Sequence, residues 1–422
     1  MKREDLYNVL FRQQKEFEEE ETPLVKRDLL GKALKLIPLK LPVIITGVRR
    51  CGKSTLLKLI KDELKLKEKS YLYVNFNDEL LTDFLVEDFQ KILDFLNEQG
   101  YSEACFLFID EIQEANSWEK WIDRIKQKYH IFITGSNSKL LSKEISTTLT
   151  GRSVNLNLAP FCFKEFLTAR NISLDDWRLD LKVQSKIRVE LKEFLKIGGF
   201  PKRVVSKQDI VLSELYENIL YRDIISKFNK NVTKSIKEIS AYLLSNSSSL
   251  TSLRALSKMS ELKNISTVKA ILDAFEGAFL FFFMNKFDYS IRKQTQNPRK
   301  AYCIDNGFIT TLGFRTSEDK GKLLENLVAI ELKRRSKEIF YYSEKNECDF
   351  VIKEGTKIVQ TIQVCYDLTK ENKEREVAGL SEAMEKFKLK EGLILTYDQE
   401  EEVKLKDKKI KVLPVWKWLL EK

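Results

Sequence analysis

The chain has 422 residues, which is longer than one ordinary hydrophobic core requires and predicts roughly two to four domains. Hydrophobic residues make up 43% and charged residues 32%, which is the profile of a soluble globular protein. The net charge of +10, from 73 basic and 63 acidic residues, permits an acidic partner such as nucleic acid but does not require one.

Cysteine and histidine are too sparse and scattered for a structural zinc site. The six cysteines have no close spacing and the chain has one histidine, His130, so we expect buried free thiols in a reducing compartment. No stretch resembles a signal peptide or a spanning helix, and the most apolar run, Ala278–Met284, is far too short to cross a bilayer. We therefore expect a cytoplasmic protein without a membrane partner.

The first 24 residues have a charged, helical pattern and predict a solvated N-terminal helix. A second helix is expected between Val25 and Pro42. Short apolar, β-branched or aromatic runs then alternate with helical patterns, which is typical of a parallel α/β sheet with buried strands. The predicted strands are 43–46, 71–76, 105–109, 130–134 and 154–158.

A phosphate-binding motif follows the first of these strands. Residues 47–54 match G-x-x-x-x-G-K-[ST], and the match lies between a buried strand and a helix that begins TLLKLI. Backbone N–H groups of such a loop point at phosphates, the Lys53 ammonium neutralises β- and γ-phosphate oxygens, and the Ser54 hydroxyl binds Mg²⁺. The predicted nucleotide-binding residues of the loop are Gly47, Val48, Arg49, Arg50, Cys51, Gly52, Lys53, Ser54 and Thr55.

Two carboxylates complete this prediction about sixty residues later. Asp110 and Glu111 come directly after the apolar run CFLFI. Asp110 is the expected second Mg²⁺ residue, and Glu111 is positioned to act as the general base on the attacking water. Two adjacent acids in a solvated loop would not indicate a catalytic site. Directly after a buried strand, they favour ATP hydrolysis over nucleotide binding alone.

Polar residues after the next strands are further candidates. Ser136 and Asn137 follow the strand at 130–134, where a polar side chain could contact the γ-phosphate or orient water. Arg152 precedes the strand at 154–158 and is either an arginine finger for a neighbouring subunit, which requires a homo-oligomer, or an ordinary surface residue. Arg27 is a candidate for the edge of the adenine pocket.

Seven segments of the chain resemble one family. It comprises the archaeal and bacterial ATPases of the AAA+ superfamily that join an ATPase domain to a C-terminal domain related to PD-(D/E)xK nucleases. The segments are ITGVRRCGKSTLL, LFIDEIQEANSWEKWI, ITGSNSKLLSKEISTTLTGRS, LAPFCFKEFL, NPRKAYCIDNGF, LLENLVAIELKRR and YYSEKNECDFVI, and they span almost the whole chain from about Arg27.

The resemblance implies a fold and roles for residues already named. It implies an AAA+-like P-loop NTPase domain with a parallel sheet, a helical and winged-helix middle domain, and a restriction-endonuclease-like α/β domain. It also implies nucleotide and Mg²⁺ binding at the loop and the two acids, a sensor near Ser136 or Asn137, and a finger at Arg152. The predicted boundaries are 1–24 for the N-terminal helix, 25–225 for the ATPase domain, 226–304 for the winged helix and 305–422 for the nuclease-like domain.

The segment 232–300 is basic, with eleven Lys and Arg residues against five Asp and Glu. Its pattern predicts helices at 235–245, 252–259 and 266–275, then an apolar strand and a basic hairpin from Tyr289 to Arg299. This order is that of a winged helix-turn-helix, which binds duplex DNA in some proteins and serves as a protein interaction module in others. The residues that would contact DNA are Ser266, Thr267 and Lys269 in the major groove and Arg292, Lys293 and Arg299 at phosphates.

The C-terminal segment has acids in nuclease-like positions but lacks the expected E-x-K. Glu325 is on a predicted helix, and Glu347 and Asp349 begin a predicted strand, whereas Gln363 and Cys365 occupy the positions of the second acid and the lysine. Because an uncharged amide and a thiol cannot supply those roles, we predict a retained fold with an inactive site.

Three functions remain open from the sequence. The first is an ATPase that uses ATP and Mg²⁺, releases ADP, and couples turnover to binding or remodelling of double-stranded DNA. The second is a nucleotide-regulated protein interaction switch that works without nucleic acid. The third, an ATP-dependent nuclease, is disfavoured by Gln363 and Cys365. The intact pair Asp110 and Glu111 favours turnover over a pure switch.

Overall fold

The computed structural model of the chain describes residues 1–19, 24–136, 151–206, 208–314, 319–405 and 407–421. These residues form two compact units, Met1–Ala159 and Pro160–Lys422. The division after Ala159 falls inside the segment 25–225 that the sequence predicts as one ATPase domain, and the boundaries at 225 and 304 stay predictions.

The first unit alternates helices and strands, as the apolar runs predict. Each run of the sequence prediction forms a strand, with ends that differ by a residue at most. The elements are α1 (Arg3–Glu19), α2 (Asp28–Leu36), β1 (Val43–Thr46), α3 (Lys53–Glu63), β2 (Tyr71–Asn75), α4 (Asp88–Glu98), β3 (Phe106–Asp110), α5 (Trp118–Ile125), β4 (His130–Gly135) and β5 (Val154–Asn157).

All five strands of this unit lie parallel in the order β2-β3-β4-β1-β5, which confirms the predicted parallel sheet. Strands β1, β3 and β4 are almost wholly buried, which explains why their sequences are continuous apolar runs. Because the strands are parallel, the carboxyl ends of β1 and β3 lie at the same edge of the sheet. The loop after β1 and the acids after β3 therefore meet there.

Helix α1 is packed against the sheet, so the prediction of a solvated N-terminal helix is wrong. Its apolar residues Leu6, Val9 and Leu10 are buried in the same core cluster as strand residues of the unit. These side chains recur three or four positions apart, which places them on one helix face. The many charged residues of α1 occupy the other face and dominate its composition.

Two glutamines of α1 cover the exposed edge of the sheet. Gln13 accepts a hydrogen bond from the Asn75 N–H (2.9 Å) and donates one to the Asn75 carbonyl (3.0 Å). Gln14 accepts one from the Tyr73 N–H (3.1 Å). These bonds satisfy backbone groups that β2, as an edge strand, would otherwise present for pairing with another chain.

The second unit begins with helices and continues into a small antiparallel sheet. Strands β6, β7 and β8 pair in the order β6-β8-β7. The elements of this part are α6 (Phe163–Ala169), α7 (Leu181–Ile197), α8 (Pro201–Ser206), α9 (Ile210–Asn218), a π-helical turn (Ile219–Ile224), α10 (Thr233–Ser245), β6 (Ser249–Thr251), α11 (Leu253–Met259), α12 (Ile265–Gly277), β7 (Phe281–Met284), α13 (Ile291–Gln296) and β8 (Arg299–Cys303).

The three helices predicted between 235 and 275 are present as α10, α11 and α12. The basic hairpin predicted from Tyr289 to Arg299 is wrong, because this stretch forms the short helix α13 and the first residue of β8. The turn before α13 is closed locally, since the Ser290 N–H donates to the Asp288 carboxylate (2.8 Å) and the Gln294 amide donates to the Asp288 carbonyl (2.6 Å).

The rest of the second unit surrounds a six-stranded sheet. Its order is β13-β14-β12-β11-β10-β9, with β11, β12 and β14 parallel and the other neighbours antiparallel. The sequence prediction missed β13, β14 and the helices α16 and α17. The elements are α14 (Asn306–Leu312), α15 (Lys320–Arg334), β9 (Glu338–Ser343), β10 (Glu347–Glu354), β11 (Lys357–Val364), α16 (Lys373–Lys386), β12 (Glu391–Thr396), β13 (Glu401–Leu405), β14 (Lys408–Pro414) and α17 (Val415–Leu420).

A core cluster fills the space between α16 and this mixed sheet. Leu380, Ala383 and Met384 of α16 are fully buried in one cluster with Ile394 of β12 and Val412 of β14. Among the residues that the structure describes, no helix is both long and apolar enough to span a membrane.

The cover that α1 gives to the sheet edge predicts a local effect of Gln13→Ala. The substitution leaves the N–H and carbonyl of Asn75 without the Gln13 partner, at a cost of about 1–3 kcal/mol. We expect faster hydrogen exchange of the β2 peptide that contains Asn75 and a lower unfolding midpoint in urea. Lys15→Ala, at a position 75% exposed on the same helix, is the control and should leave both unchanged. Equal exchange of β2 in wild type and Gln13→Ala would contradict the proposed role of α1.

Candidate functional site

The glycine-rich loop lies between β1 and α3, as the motif predicts. A Cβ atom on Gly47 would lie 2.1 Å from the Leu158 carbonyl oxygen, so only glycine fits this close approach. Gly52 has a φ of 99°, a conformation that residues with a side chain rarely adopt, and α3 begins at the next residue. Both motif glycines are thus required by the backbone path of the loop.

The side chains of Arg27 and Cys51 hold the loop in place through hydrogen bonds to backbone carbonyl groups. The Arg27 guanidinium is buried and donates to the carbonyls of Cys51 (2.8 Å) and Ala159 (2.7 Å). The Cys51 thiol is fully buried and donates to the Leu158 carbonyl (3.2 Å), and burial raises its pKa. Arg27, a sequence candidate for the adenine pocket, therefore supports the loop backbone. The expectation of buried free thiols is confirmed for all six cysteines.

Lys53 extends back over the loop that precedes it. Its ammonium nitrogen lies 3.3 Å from the Gly47 carbonyl oxygen and 3.4 Å from the Val48 carbonyl oxygen. The same nitrogen is 3.4 Å from a carboxylate oxygen of Glu111. The side chain is 4% exposed, so this pairing takes place in a largely desolvated position at the centre of the site.

Asp110 is a buried carboxylate fixed by three hydroxyl groups from three elements. Ser54 on α3 donates to Oδ2 (2.5 Å), Tyr73 on β2 donates to the same oxygen (2.9 Å), and Thr134 on β4 donates to Oδ1. Burial, followed by the neighbouring negative charge of Glu111, raises the pKa of Asp110, and the three donors oppose this rise. The orientation of the Asp110 carboxylate is therefore set on several sides.

Glu111 leaves the strand in a left-handed conformation, with a φ of 50°. This turn directs its carboxylate toward the Lys53 ammonium and the Gln113 amide, which donates at 2.5 Å, while its N–H donates to the Thr134 hydroxyl (3.1 Å). Burial alone would raise the pKa of Glu111, but Lys53, together with Gln113, outweighs burial and lowers it. The carboxylate is consequently ionised at neutral pH.

The remaining sequence candidates of this unit make fewer contacts with Lys53, Asp110 and Glu111. Ser136 is buried at the end of β4, and its hydroxyl hydrogen-bonds to Glu111 and helps to lower the pKa of that residue. Asn137 lies outside the described residues. Arg152 is 60% exposed and lies 3.4 Å from an oxygen of Asp123.

Sequence reasoning missed Tyr73 and Thr134. Thr134 ends the predicted strand at 130–134, so a signal existed, although the prediction used only the two residues after Gly135. Tyr73 occupies the middle of an apolar strand, where nothing in the pattern distinguishes it from a core residue. Only the pairing of β2 with β3 brings its hydroxyl to Asp110.

The donor set at this edge of the sheet fits a magnesium nucleotide. The Ser54 hydroxyl and the Asp110 carboxylate are hard oxygen ligands, 2.5 Å apart, of the type that Mg²⁺ prefers. The closeness of Gly47 to Leu158 leaves the loop no room for a side chain there, and Lys53 supplies a positive charge beside it. These residues could hold a triphosphate and its cation together.

A second candidate site lies in the second unit, around the nuclease-like acids. Glu325, Glu347, Asp349 and Gln363 line one open cleft of about 510 Å³. Glu325 and Asp349 are 8% and 6% exposed, so both acids are buried.

A buried lysine that the sequence reasoning did not assign to this site contacts the acids of the cleft. The Lys300 ammonium, from β8, lies within 2.9 Å of an oxygen of each of Glu325, Glu347 and Asp349. Burial by itself would lower the pKa of Lys300, but Asp349 and then Glu325 raise it well above its ordinary value. This ammonium is therefore charged at the centre of the three acids.

The predicted DNA-contacting residues differ in exposure. Ser266, Lys269, Arg292 and Lys293 are exposed, and Thr267 is half-buried. Arg299 is placed differently, because its guanidinium lies 4.7 Å from the centre of the Phe283 ring and its charge acts on Glu276. The exposed residues belong to α12 and α13.

Three family matches together cover most of the chain. The family described as "AAA domain" matches residues 40–167, which contain the loop, the two acids and the parallel sheet. Two families described as domains of unknown function, DUF8612 and DUF4143, match residues 188–319 and 320–418.

Curated relatives extend over nearly the whole length. The uncharacterized protein MJ1544 of Methanocaldococcus jannaschii is 35% identical over 420 residues, which cover 94% of this chain and 91% of the relative. An uncharacterized protein of Haemophilus influenzae is 29% identical over 393 residues, which cover 90% and 94%.

Solved structures show only distant likenesses to this chain. The Aeropyrum pernix ORC1 protein in complex with DNA has a TM-score of 0.34 at 12% identity and covers 75% of this chain and 98% of its own. AMPPCP-bound DnaA from Aquifex aeolicus has a TM-score of 0.27 at 18% identity and covers 62% and 90%. Likenesses this distant carry no argument about fold or function. The 35% identity over almost the full length does identify a family: the chain belongs with MJ1544, and its first unit is a P-loop NTPase domain of the AAA class.

Proposed function

We propose that the first unit binds and hydrolyses Mg·ATP. The observation that carries the proposal is the convergence of Lys53, Ser54, Asp110 and Glu111 at the carboxyl ends of β1 and β3. A nucleotide-binding loop alone would be enough for a protein that only switches between nucleotide-bound and nucleotide-free states. A buried, oriented acid next to an ionised one is the arrangement that hydrolysis requires.

Each residue of the cluster has a distinct proposed task. Backbone N–H groups of residues 47–52 and the start of α3, with Thr55, hold the phosphates, and Lys53 neutralises β- and γ-phosphate oxygens. Ser54 and Asp110 would hold Mg²⁺, which when bound supplies positive charge against the phosphate oxygens. Asp110 is preorganised for this task by Tyr73 and Thr134, so little reorientation is needed on binding.

Glu111 is the proposed general base, and its contacts suggest how it is controlled. Its carboxylate pairs with Lys53 at 3.4 Å. A triphosphate in the loop competes for the same ammonium, so nucleotide binding would weaken this pair and leave Glu111 available to accept a proton from water. The bonds from Gln113 and Ser136 would keep the Glu111 carboxylate in place during that change.

Three further residues belong to the proposal at the edge of the site. Ser136 and Asn137 are proposed as sensors of the γ-phosphate at the end of β4. Arg152, exposed at the start of β5, is proposed as a finger that acts on the nucleotide of a second copy of the chain. This last role implies a homo-oligomer.

We further propose that residues 226–304 form a winged helix that binds double-stranded DNA. The order α10-β6-α11-α12-β7-β8, with an antiparallel sheet β6-β8-β7, supports the winged-helix assignment. Exposed Lys269 on α12 and exposed Arg292 and Lys293 on α13 support contact with phosphates. Arg299 is a weaker candidate, because it stacks on Phe283 beside Glu276.

The rival functions are a nucleotide-regulated protein interaction switch and an ATP-dependent nuclease. Two hydrophobic residues, Tyr289 just before α13 and Ile291 at its first position, are each 77% exposed, which is the observation that favours a protein partner for this segment. The nuclease alternative depends on the second cleft, whose contacts disfavour it.

Lys53→Ala tests the nucleotide site. Removing the ammonium takes away the charge that holds the phosphates, so we expect loss of Mg-dependent ATPase turnover by at least about a hundredfold. Turnover is measured by phosphate release with purified protein. Lys67→Ala, at an exposed position in the turn after α3, is the control and should keep wild-type turnover. Near-normal turnover in Lys53→Ala would rule out the site assignment.

Tyr73→Phe tests the preorganisation of Asp110. The change removes one hydrogen bond to a buried carboxylate while keeping the ring, at a cost of about 1.5–3 kcal/mol. We expect turnover to fall roughly tenfold or more and the Mg²⁺ concentration for half-maximal rate to rise. An unchanged Mg²⁺ dependence would show that the Tyr73 hydroxyl has no part in holding the cation.

The combined variant Lys269→Ala, Arg292→Ala and Lys293→Ala tests the DNA proposal. We expect weaker binding to duplex DNA at low salt, and a slope of log affinity against log salt that is smaller by about one for each phosphate that the variant no longer neutralises. Fluorescence anisotropy over a salt series measures both quantities. ATPase turnover with and without duplex DNA is the second readout. Wild-type protein that neither binds duplex DNA at low salt nor responds to it in turnover would favour the interaction switch.

A further inference from the structure

The three acids of the second cleft converge on one point, and that point is occupied by a side chain. The Lys300 nitrogen lies 2.9 Å from Glu325 Oε1, 2.7 Å from Glu347 Oε1 and 2.9 Å from Asp349 Oδ1. The acids come from α15 and β10, whereas the lysine comes from β8. Lys300 is 2% exposed, so its ammonium is held inside the cluster.

The resemblance to PD-(D/E)xK nucleases implies a divalent metal ion at this position. Carboxylate oxygens that face one point are the ligands that Mg²⁺ and Mn²⁺ take, so the acids alone would fit such an ion. The ammonium occupies the place where the three carboxylates converge, and a second cation there would lie within a few ångströms of it. At that separation repulsion costs several kcal/mol in a partly buried environment. The residues present therefore do not fit a resident metal.

We propose that the Lys300 ammonium replaces the divalent cation in this cleft, which makes the acidic cluster a permanent metal-free junction that accepts a metal ion only when Lys300 is removed. The Lys300 ammonium donates hydrogen bonds to Glu325 and Asp349 and forms an ion pair with Glu347. The ammonium thus has a partner in each of the three acids without any further cation.

The groups around the cluster are also satisfied without a metal. The second oxygen of Asp349 accepts a bond from the Val364 N–H (2.9 Å), and the Tyr302 hydroxyl donates to Glu325 (2.7 Å). Gln363 accepts from the Asp349 N–H (3.2 Å) and donates to Glu376 on α16 (2.7 Å). Gln363 is therefore a neutral bridge between two elements, which accounts for an amide at a position where a nuclease has an acid.

The junction has a structural consequence for the second unit. Strand β8 is the central strand of the three-stranded sheet, and β10 belongs to the six-stranded sheet. Lys300 links them through Glu347 and Asp349. Removing one partner of a buried charge cluster costs several kcal/mol, because the remaining charges stay desolvated. The second unit would use this ion cluster to join its two sheets.

Manganese binding by the full chain tests this proposal. Free Mn²⁺ is counted by electron paramagnetic resonance without nucleotide, in wild type, Asp349→Asn, Lys300→Met and the double variant Lys300→Met with Asp349→Asn. Methionine keeps most of the length of the lysine side chain and removes its charge. Lys322→Met is the matched control, because Lys322 lines the same cleft but is 40% exposed and pairs with Asp319.

We expect wild type, Asp349→Asn and Lys322→Met to bind equal amounts of Mn²⁺, since any ion at the nucleotide site is common to them. Lys300→Met should bind one additional Mn²⁺ per chain, and the double variant should lose it. Lys300→Met should also melt at a lower temperature than wild type, and Mn²⁺ should restore part of that loss in Lys300→Met alone.

Two results would overturn the proposal. One is Mn²⁺ binding by wild type that Asp349→Asn removes, since a metal ion and Lys300 would then share the cleft. The other is a folded Lys300→Met that binds no additional Mn²⁺. If Lys300→Met does not fold, the comparison of wild type with Asp349→Asn still decides the first point.

Discussion

The buried carboxylate of Asp110 is the constraint on which the first unit depends. A desolvated acid needs hydrogen-bond donors on more than one side, and here they come from α3, β2 and β4. Those elements can supply them only if β2, β3 and β4 are parallel neighbours and the loop after β1 ends beside β3. The fold, the orientation of Asp110 and the position of Lys53 therefore depend on one another. Loss of any of the three donors should change the orientation of Asp110 at the nucleotide site.

The two units treat buried acids in opposite ways. In the first, Asp110 is held by neutral hydroxyl groups, which orient it and leave its negative charge for an external cation. In the second, three carboxylates, those of Glu325, Glu347 and Asp349, pair with one internal lysine, whose ammonium lies at the point on which they converge. The contrast supports the proposal that hydrolysis belongs to the first unit and that the second unit has a binding or structural role.

What could be predicted from the sequence depended on how far apart the interacting residues lie along the chain. The loop motif, the acids after β3 and the strand pattern are local signals, and they are where the sequence places them. Tyr73 contacts Asp110, which lies 37 residues further along the chain, and Lys300 contacts Asp349, which lies 49 residues further. Contacts over such distances produce no periodic pattern in the sequence, so they could not be predicted from it. Helix α1 was predicted as solvated because its composition is charged, although the position of its apolar residues on one face already indicated burial. Helix α13 was predicted as a hairpin because the side-chain bonds of Asp288 that close the preceding turn cannot be read from residue types alone.

The most direct test of the central claim is single-turnover ATP hydrolysis by Glu111→Gln. The substitution keeps the size of the side chain and one acceptor oxygen but removes the charge and the proposed base, so nucleotide binding should persist while hydrolysis slows by about 10²–10⁴-fold. Binding of a fluorescent ATP analogue and phosphate release are measured on the same preparation. Retained binding with lost hydrolysis is the result that the account predicts. Hydrolysis by Glu111→Gln at the wild-type rate would contradict it.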